Sequence, residues 1–176
     1  MILKGFKEKS NRKYLNKLLL NRDVNVTDTK IKSLGVIIHL QEVDDFELFR
    51  GLAKNLNIHS NQIKVIAFSS DKKNSNISWD ICFCEKDFGW KGELKNLELQ
   101  AFVDTKFDAL ISYYTKDEIE LKLMTAKSKA LFKIGIFQTD MRLNDLIIKT
   151  HINEFDVFKK ELFKYLTILN KIKNEQ

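Results

Sequence analysis

Residues 33–70 read as strand, helix and strand in immediate succession, and that order leaves the chain few folds to choose from. "SLGVIIHL" (33–40) is a nearly continuous apolar run rich in β-branched residues, the pattern of a strand covered on both faces. In "VDDFELFRGLAKNLNI" (43–58), Phe46, Phe49, Leu52, Ala53 and Leu56 recur at helical spacing, with Asp44 as the expected N-cap. "QIKVIAFSS" (62–70) is the next strand. One such βαβ unit implies a parallel pair joined by a right-handed crossover.

The remainder repeats the alternation. "SWDICFC" (78–84) reads as a third strand, "LELQAFVDTKF" (97–107) holds a short helix, and "DALISYY" (108–114) is a fourth strand. Thr115 to Glu118 match a capping box, which predicts a helix running on to about Lys129 with Ile119, Leu123, Met124 and Ala126 inward. "LFKIGIF" (131–137) and "NDLIIKT" (144–150) are the fifth and sixth strands, and Asn153 is the expected cap of a last helix. The expectation is one α/β domain in three layers, a mostly parallel sheet of about six strands with helices on both faces. The short step through "QTDMRL" (138–143) fits a hairpin, which predicts one antiparallel edge strand. A basic helix with its connector occupies residues 1–30, and the α/β domain residues 31–176.

Charge is concentrated at one end. "GFKEKSNRKYLNKLLLNR" (5–22) continues a basic segment whose cations account for the whole formal charge of +6, leaving the rest of the chain balanced. At 100° per residue, Tyr14, Leu15, Leu18 and Leu19 fall in one arc, and Lys9, Arg12, Lys13 and Lys17 lie opposite. If the apolar arc packs on the domain, those four cations form an outward ridge about 12 Å long, suited to phosphates. The alternative is a solvated helix face.

Familiar chemistry is excluded by what stands where its motifs belong. The turn after the first strand, "QEVDDF", has no glycine and three acids, so it repels phosphate where a dinucleotide fold would cradle it. There is no P-loop and no nucleophile elbow. Cys82, Cys84, His39, His59 and His151 share no metal-ligand spacing, so no metal or cofactor is expected. No apolar stretch is long enough to span a membrane, and two cysteines fit free thiols in the cytoplasm. The carboxyl ends of the strands, where open α/β sheets bind ligands, would present Ser69, Ser70 and Thr115 as hydrogen-bond donors. Those same residues also end strands and cap helices in any such fold.

The series "KFDALISYYTKDEIELKLMTAKSKALFKIGIF", "NDLIIKT" and "FKKELFKYLTIL", with the basic N-terminal helix and "DFGWKG" (87–92), resembles a family of uncharacterised Bacteroidota proteins, a domain of unknown function. The resemblance implies a bacterial cytoplasmic protein and carries no activity or site residue. The first functional expectation is a non-catalytic factor that contacts RNA or a ribonucleoprotein surface through Lys9, Arg12, Lys13 and Lys17. The second is an enzyme or small-ligand binder working at Ser69, Ser70 and Thr115. The third is a protein-interaction module.

Overall fold

The computed structural model describes residues 2–24, 27–70, 81–136 and 140–172. Among these, six strands form a single sheet: β1 (Leu34–His39), β2 (Ile63–Phe68), β3 (Ile81–Phe83), β4 (Ala109–Tyr113), β5 (Lys133–Ile136) and β6 (Leu146–Ile148). Their lateral order is β3-β2-β1-β4-β5-β6, and every pairing is parallel. The β-branched run of β1 lies at the centre with all six residues buried. This is the strand order of doubly wound nucleotide-binding folds, with its switch point between β1 and β4.

Five α-helices cover the sheet: α1 (Ile2–Leu20), α2 (Glu47–Asn55), α3 (Leu97–Asp104), α4 (Ile119–Lys127) and α5 (Phe155–Ile168). Alternate strand residues feed two separate cores, as the two-residue strand period requires. Val36, Ile38, Val65, Ile111 and Tyr113 pack with Phe49 and Leu52 of α2 and Phe158 and Leu162 of α5. Ile37, Ile66 and Leu110 pack on the other face with Leu15 and Leu19 of α1, Leu99 and Phe102 of α3, and Leu121 and Met124 of α4. The three-layer arrangement follows from the apolar helix faces, each of which needs one face of the sheet.

Several local expectations are corrected. The N-cap of α2 is Phe46 and not Asp44, and that of α5 is Glu154 and not Asn153, neither with a side-chain cap bond; the acid near the start of α2 that meets a free N–H is Asp45, which accepts from the Glu47 N–H at 3.0 Å. The sixth strand is parallel to the fifth, so the sheet has no antiparallel edge strand. Its connection carries a 3-10 turn, Met141–Leu143, whose Leu143 is fully buried in the core beneath α4. Burying that leucine takes the chain back across the sheet, and Asp145 N–H then meets the Lys133 carbonyl at 2.7 Å. A hairpin would leave Leu143 in solvent. The capping box also fails. α4 starts at Ile119, and its N-cap residue Glu118 makes no side-chain cap bond, because the Thr115 hydroxyl is turned toward Glu42 instead.

Helix α1 lies over α4 and is pinned at its middle and at its end. Asn11 Oδ1 accepts the Gly92 N–H at 2.9 Å, and the Tyr14 ring lies under the Lys127 ammonium, 5.5 Å from it. Just beyond its end, Arg22 bonds Asp145, and its second guanidinium nitrogen donates to the Arg142 carbonyl at 2.7 Å.

Candidate functional site

Which faces of α1 pack is set by the 3–4 step of a helix. The positions turned to the protein run Lys4, Lys7, Asn11, Leu15 and Leu19. Leu15 and Leu19 are buried, so the C-terminal half packs dry on its neighbours. Toward the N-terminus the same stripe is lysine, lysine and asparagine. Such residues cannot close against a sheet edge without charge partners or water. The helix therefore roofs an open cleft of about 820 Å³ there.

The cleft lies at the carboxyl ends of β2 and β3 and at the start of α4. Its lining includes Asn11, Phe68, Ser70, Cys84, Trp90 and Glu120. The cations that α1 brings are already engaged. Lys4 Nζ sits 2.8 Å from Glu85 Oε2, which raises the lysine pKa and lowers that of the glutamate. Lys7 Nζ lies 3.5 Å from Glu85 Oε1 and donates to the Glu85 and Phe88 carbonyls at 3.4 Å. Arg12 donates twice to Glu8, at 2.8 and 3.0 Å. On the opposite wall Asp117 is paired with Lys122.

Two groups in the cleft are left over. Glu120 is 5% exposed and has no ion pair among the described residues; its carboxylate accepts from its own backbone N–H. Burial pushes its carboxyl pKa up and outweighs that bond, and the like charges of Glu85 and Glu118 add to the rise while Lys7 opposes it. Asn11 is 1% exposed, and its Nδ2 donor has no partner among the described residues. Buried polar atoms without partners are rare, and this one lies on a residue that lines the cleft.

The Glu120 shift gives a prediction. A carboxyl whose folded pKa is raised adds stability below its unfolded value of 4.5 and loses it as pH rises through the folded value. Glu120→Gln is therefore expected to raise the urea midpoint at pH 8, with the gain vanishing toward pH 4.5. A midpoint lower than wild type at pH 8 contradicts an unpaired carboxylate.

The residues singled out in the sequence divide. Lys9, Lys13 and Lys17 lie exposed on the outer face of α1 with no ion pair among the described residues, whereas Arg12 is held by Glu8 at the cleft rim. Ser70 lines the cleft. Ser69 is buried, and its hydroxyl accepts from Gln41 at 3.2 Å. Thr115 lies outside the cleft lining: its amide donates to Glu42 Oε2 at 3.0 Å, as does that of Lys116 at 3.4 Å. Glu42 thus places a carboxylate at the switch point between β1 and β4, where a phosphate would otherwise bind. His39 is buried at the end of β1 with its pKa lowered by burial, and its Nε2 lies 3.3 Å from Ser70 Oγ. Its Nδ1 has no partner among the described residues, so no carboxylate or carbonyl described there holds the ring on the side away from Ser70.

Sequence reasoning missed Lys4, Lys7, Asn11 and Glu120. The signal for the first three was the inward stripe continued two turns toward the N-terminus, where apolar residues give way to polar ones.

The profile of a family of unknown function (DUF6913) matches residues 7–169. No curated protein and no solved structure matches the chain. Among the described residues no helix is long and apolar enough to cross a membrane.

Proposed function

We propose, for a chain that belongs to the DUF6913 family of unknown function, that it is a small-ligand-binding protein whose site is the cleft under α1. The observation that carries this reading is Glu120, a buried carboxylate held only by its own backbone N–H and by no ion pair among the described residues, on the wall of a cleft of ligand size at the carboxyl edge of the sheet. An unpaired buried charge costs stability, and such residues concentrate where they act on something. Without an orienting partner for His39, the arrangement favours holding a ligand over acyl transfer. Cys82 and Cys84 stand as thiols and in no disulfide, which accords with a reducing, cytoplasmic setting.

A second reading has its own observation. Lys9, Lys13 and Lys17, spaced by four residues and without an ion pair among the described residues, form a cationic row that would contact RNA or a ribonucleoprotein through phosphates.

Thermal denaturation with a panel of small polar compounds tests the first reading. Compounds that bind should raise Tm by about 5 °C at a hundredfold excess over Kd. Ser70→Trp, which fills the cleft from an exposed position, should abolish that rise. The triple variant Lys9→Glu, Lys13→Glu, Lys17→Glu should keep it while losing any salt-sensitive retention of single-stranded RNA. A Tm rise that survives Ser70→Trp counts against the cleft.

A further inference from the structure

The charges in the cleft do more than mark a site, because they are unequally satisfied. Lys4 and Lys7 share Glu85, Arg12 is taken by Glu8, and Asp117 is taken by Lys122. Lys86 is exposed in the lining. Glu118 and Glu120, at the start of α4, make no ion pair among the described residues, although Lys4 and Lys7 act on Glu120 at longer range. An incoming anion would have to displace a carboxylate from each cation of α1. An incoming cation finds two carboxylates already free.

The start of a helix favours acidic residues, so its position offsets part of the charge on Glu118 and Glu120. That does not account for Glu120. A carboxylate that served only the helix terminus would do so from solvent, yet this one is 5% exposed and faces further negative charge. A bound ammonium supplies what the site lacks, a charge-assisted hydrogen bond from a cation in contact with the carboxylate. Two other features suit an organic cation over a bare ion. Trp90 is 48% exposed in the lining and offers an aromatic face, while Phe68 and Ile119 add apolar surface. The orphan N–H of Asn11 is a donor, which an acceptor oxygen would satisfy and a metal ion would not.

We propose that the cleft binds a small organic cation, a protonated amine held by Glu118 and Glu120, with an oxygen accepting from Asn11 and its hydrocarbon against Trp90. This rests on the cleft being the ligand site. It adds the chemical class of the ligand.

Isothermal titration calorimetry at low salt, with a matched pair of probes, tests it. The first probe is 5-amino-1-pentanol, which carries the amine and a hydroxyl. The second is 5-hydroxypentanoate, of the same length and opposite charge. The amino alcohol should bind the wild-type chain and the hydroxy acid should not. Glu120→Gln, nearly identical in shape, should weaken amine binding at least about tenfold. Glu118→Gln provides a second variant at a less buried position. If the hydroxy acid binds and Glu120→Gln leaves its affinity equal or greater, the site is anionic in preference, and the cation assignment falls while the cleft stands. If neither probe binds although other compounds still raise Tm in a Ser70-dependent way, the assignment again falls alone. If no compound acts through the cleft, both readings fall.

Discussion

Gly92→Val is expected to lower stability by about 3 kcal/mol and to remove ligand binding with it. Gly92 has φ of +67°, a left-handed conformation that costs an L-residue about 1–2 kcal/mol and is worst for a β-branched one. A Cβ built there meets Cδ1 and Cε1 of Tyr14, each at 2.6 Å. These are ring atoms of a side chain fixed between the loop and Lys127, so relief requires α1 to move, at an overpacking cost of about 1–3 kcal/mol. The glycine also ties α1 and α4 together through its two peptide groups. Its N–H donates to Asn11, and its carbonyl accepts from Lys127 Nζ at 2.8 Å. Urea unfolding gives the stability change, and the Tm rise caused by cleft-binding compounds gives the functional one. Gly51→Ala is the control: no atom lies within 4 Å of its Cβ, and alanine in the interior of α2 should be neutral or gain up to about 1 kcal/mol. A Gly92→Val protein with undiminished ligand binding would mean that the seat of α1 does not shape the site.

Arg22→Met is expected to cost about 3 kcal/mol or more, because it strands Asp145. The two side chains are 15% and 4% exposed, so the pair is shielded from solvent. Asp145 is committed on its other side, where Oδ2 accepts the Lys133 backbone N–H at 2.7 Å, and it cannot turn outward without breaking the link between β5 and β6. Asp145→Asn keeps an acceptor for that N–H while removing the charge. The double variant should therefore be more stable than Arg22→Met alone, and a double-mutant cycle should show a coupling of about 2 kcal/mol. Additive losses would mean that the pair contributes no more than its packing. Arg22 closes the end of α1 and Gly92 seats its middle, so the two variants separate fastening the helix from shaping the cleft.

How much of this was legible beforehand depended on whether local pattern or long-range packing decided each feature. β1 was readable because a strand with two neighbours and a helix layer on each face is apolar along nearly its whole length, and Leu34 to Ile38 are, with only His39 at its end polar. The direction of β6 was not, because it is decided by where Leu143 is buried, and a short connection looks the same for either outcome. Glu120 was hidden for a related reason. In "DEIELKLMTAK" the helical period puts Ile119, Leu123 and Met124 inward and leaves Glu120 facing out. α1 then lies over that outer face, so residues Ile119 to Thr125 are all buried, Glu120 and Lys122 included. One layer added on top converts a solvated position into a buried one, and no pattern within α4 announces it. The same layer explains why the basic segment divides. Its N-terminal cations turn in toward the cleft, and Lys9, Lys13 and Lys17 turn out.

The central claim is that the polar stretch of the inward stripe of α1 makes a ligand site in place of a core. An amide-resolved NMR titration of the isotope-labelled protein with 5-amino-1-pentanol tests this most directly. The account predicts saturable shifts clustered at the amides of Asn11, Ser70, Cys84, Trp90 and Glu120. Shifts confined to the outer row of Lys9, Lys13 and Lys17, or no saturable shifts at all, would contradict it.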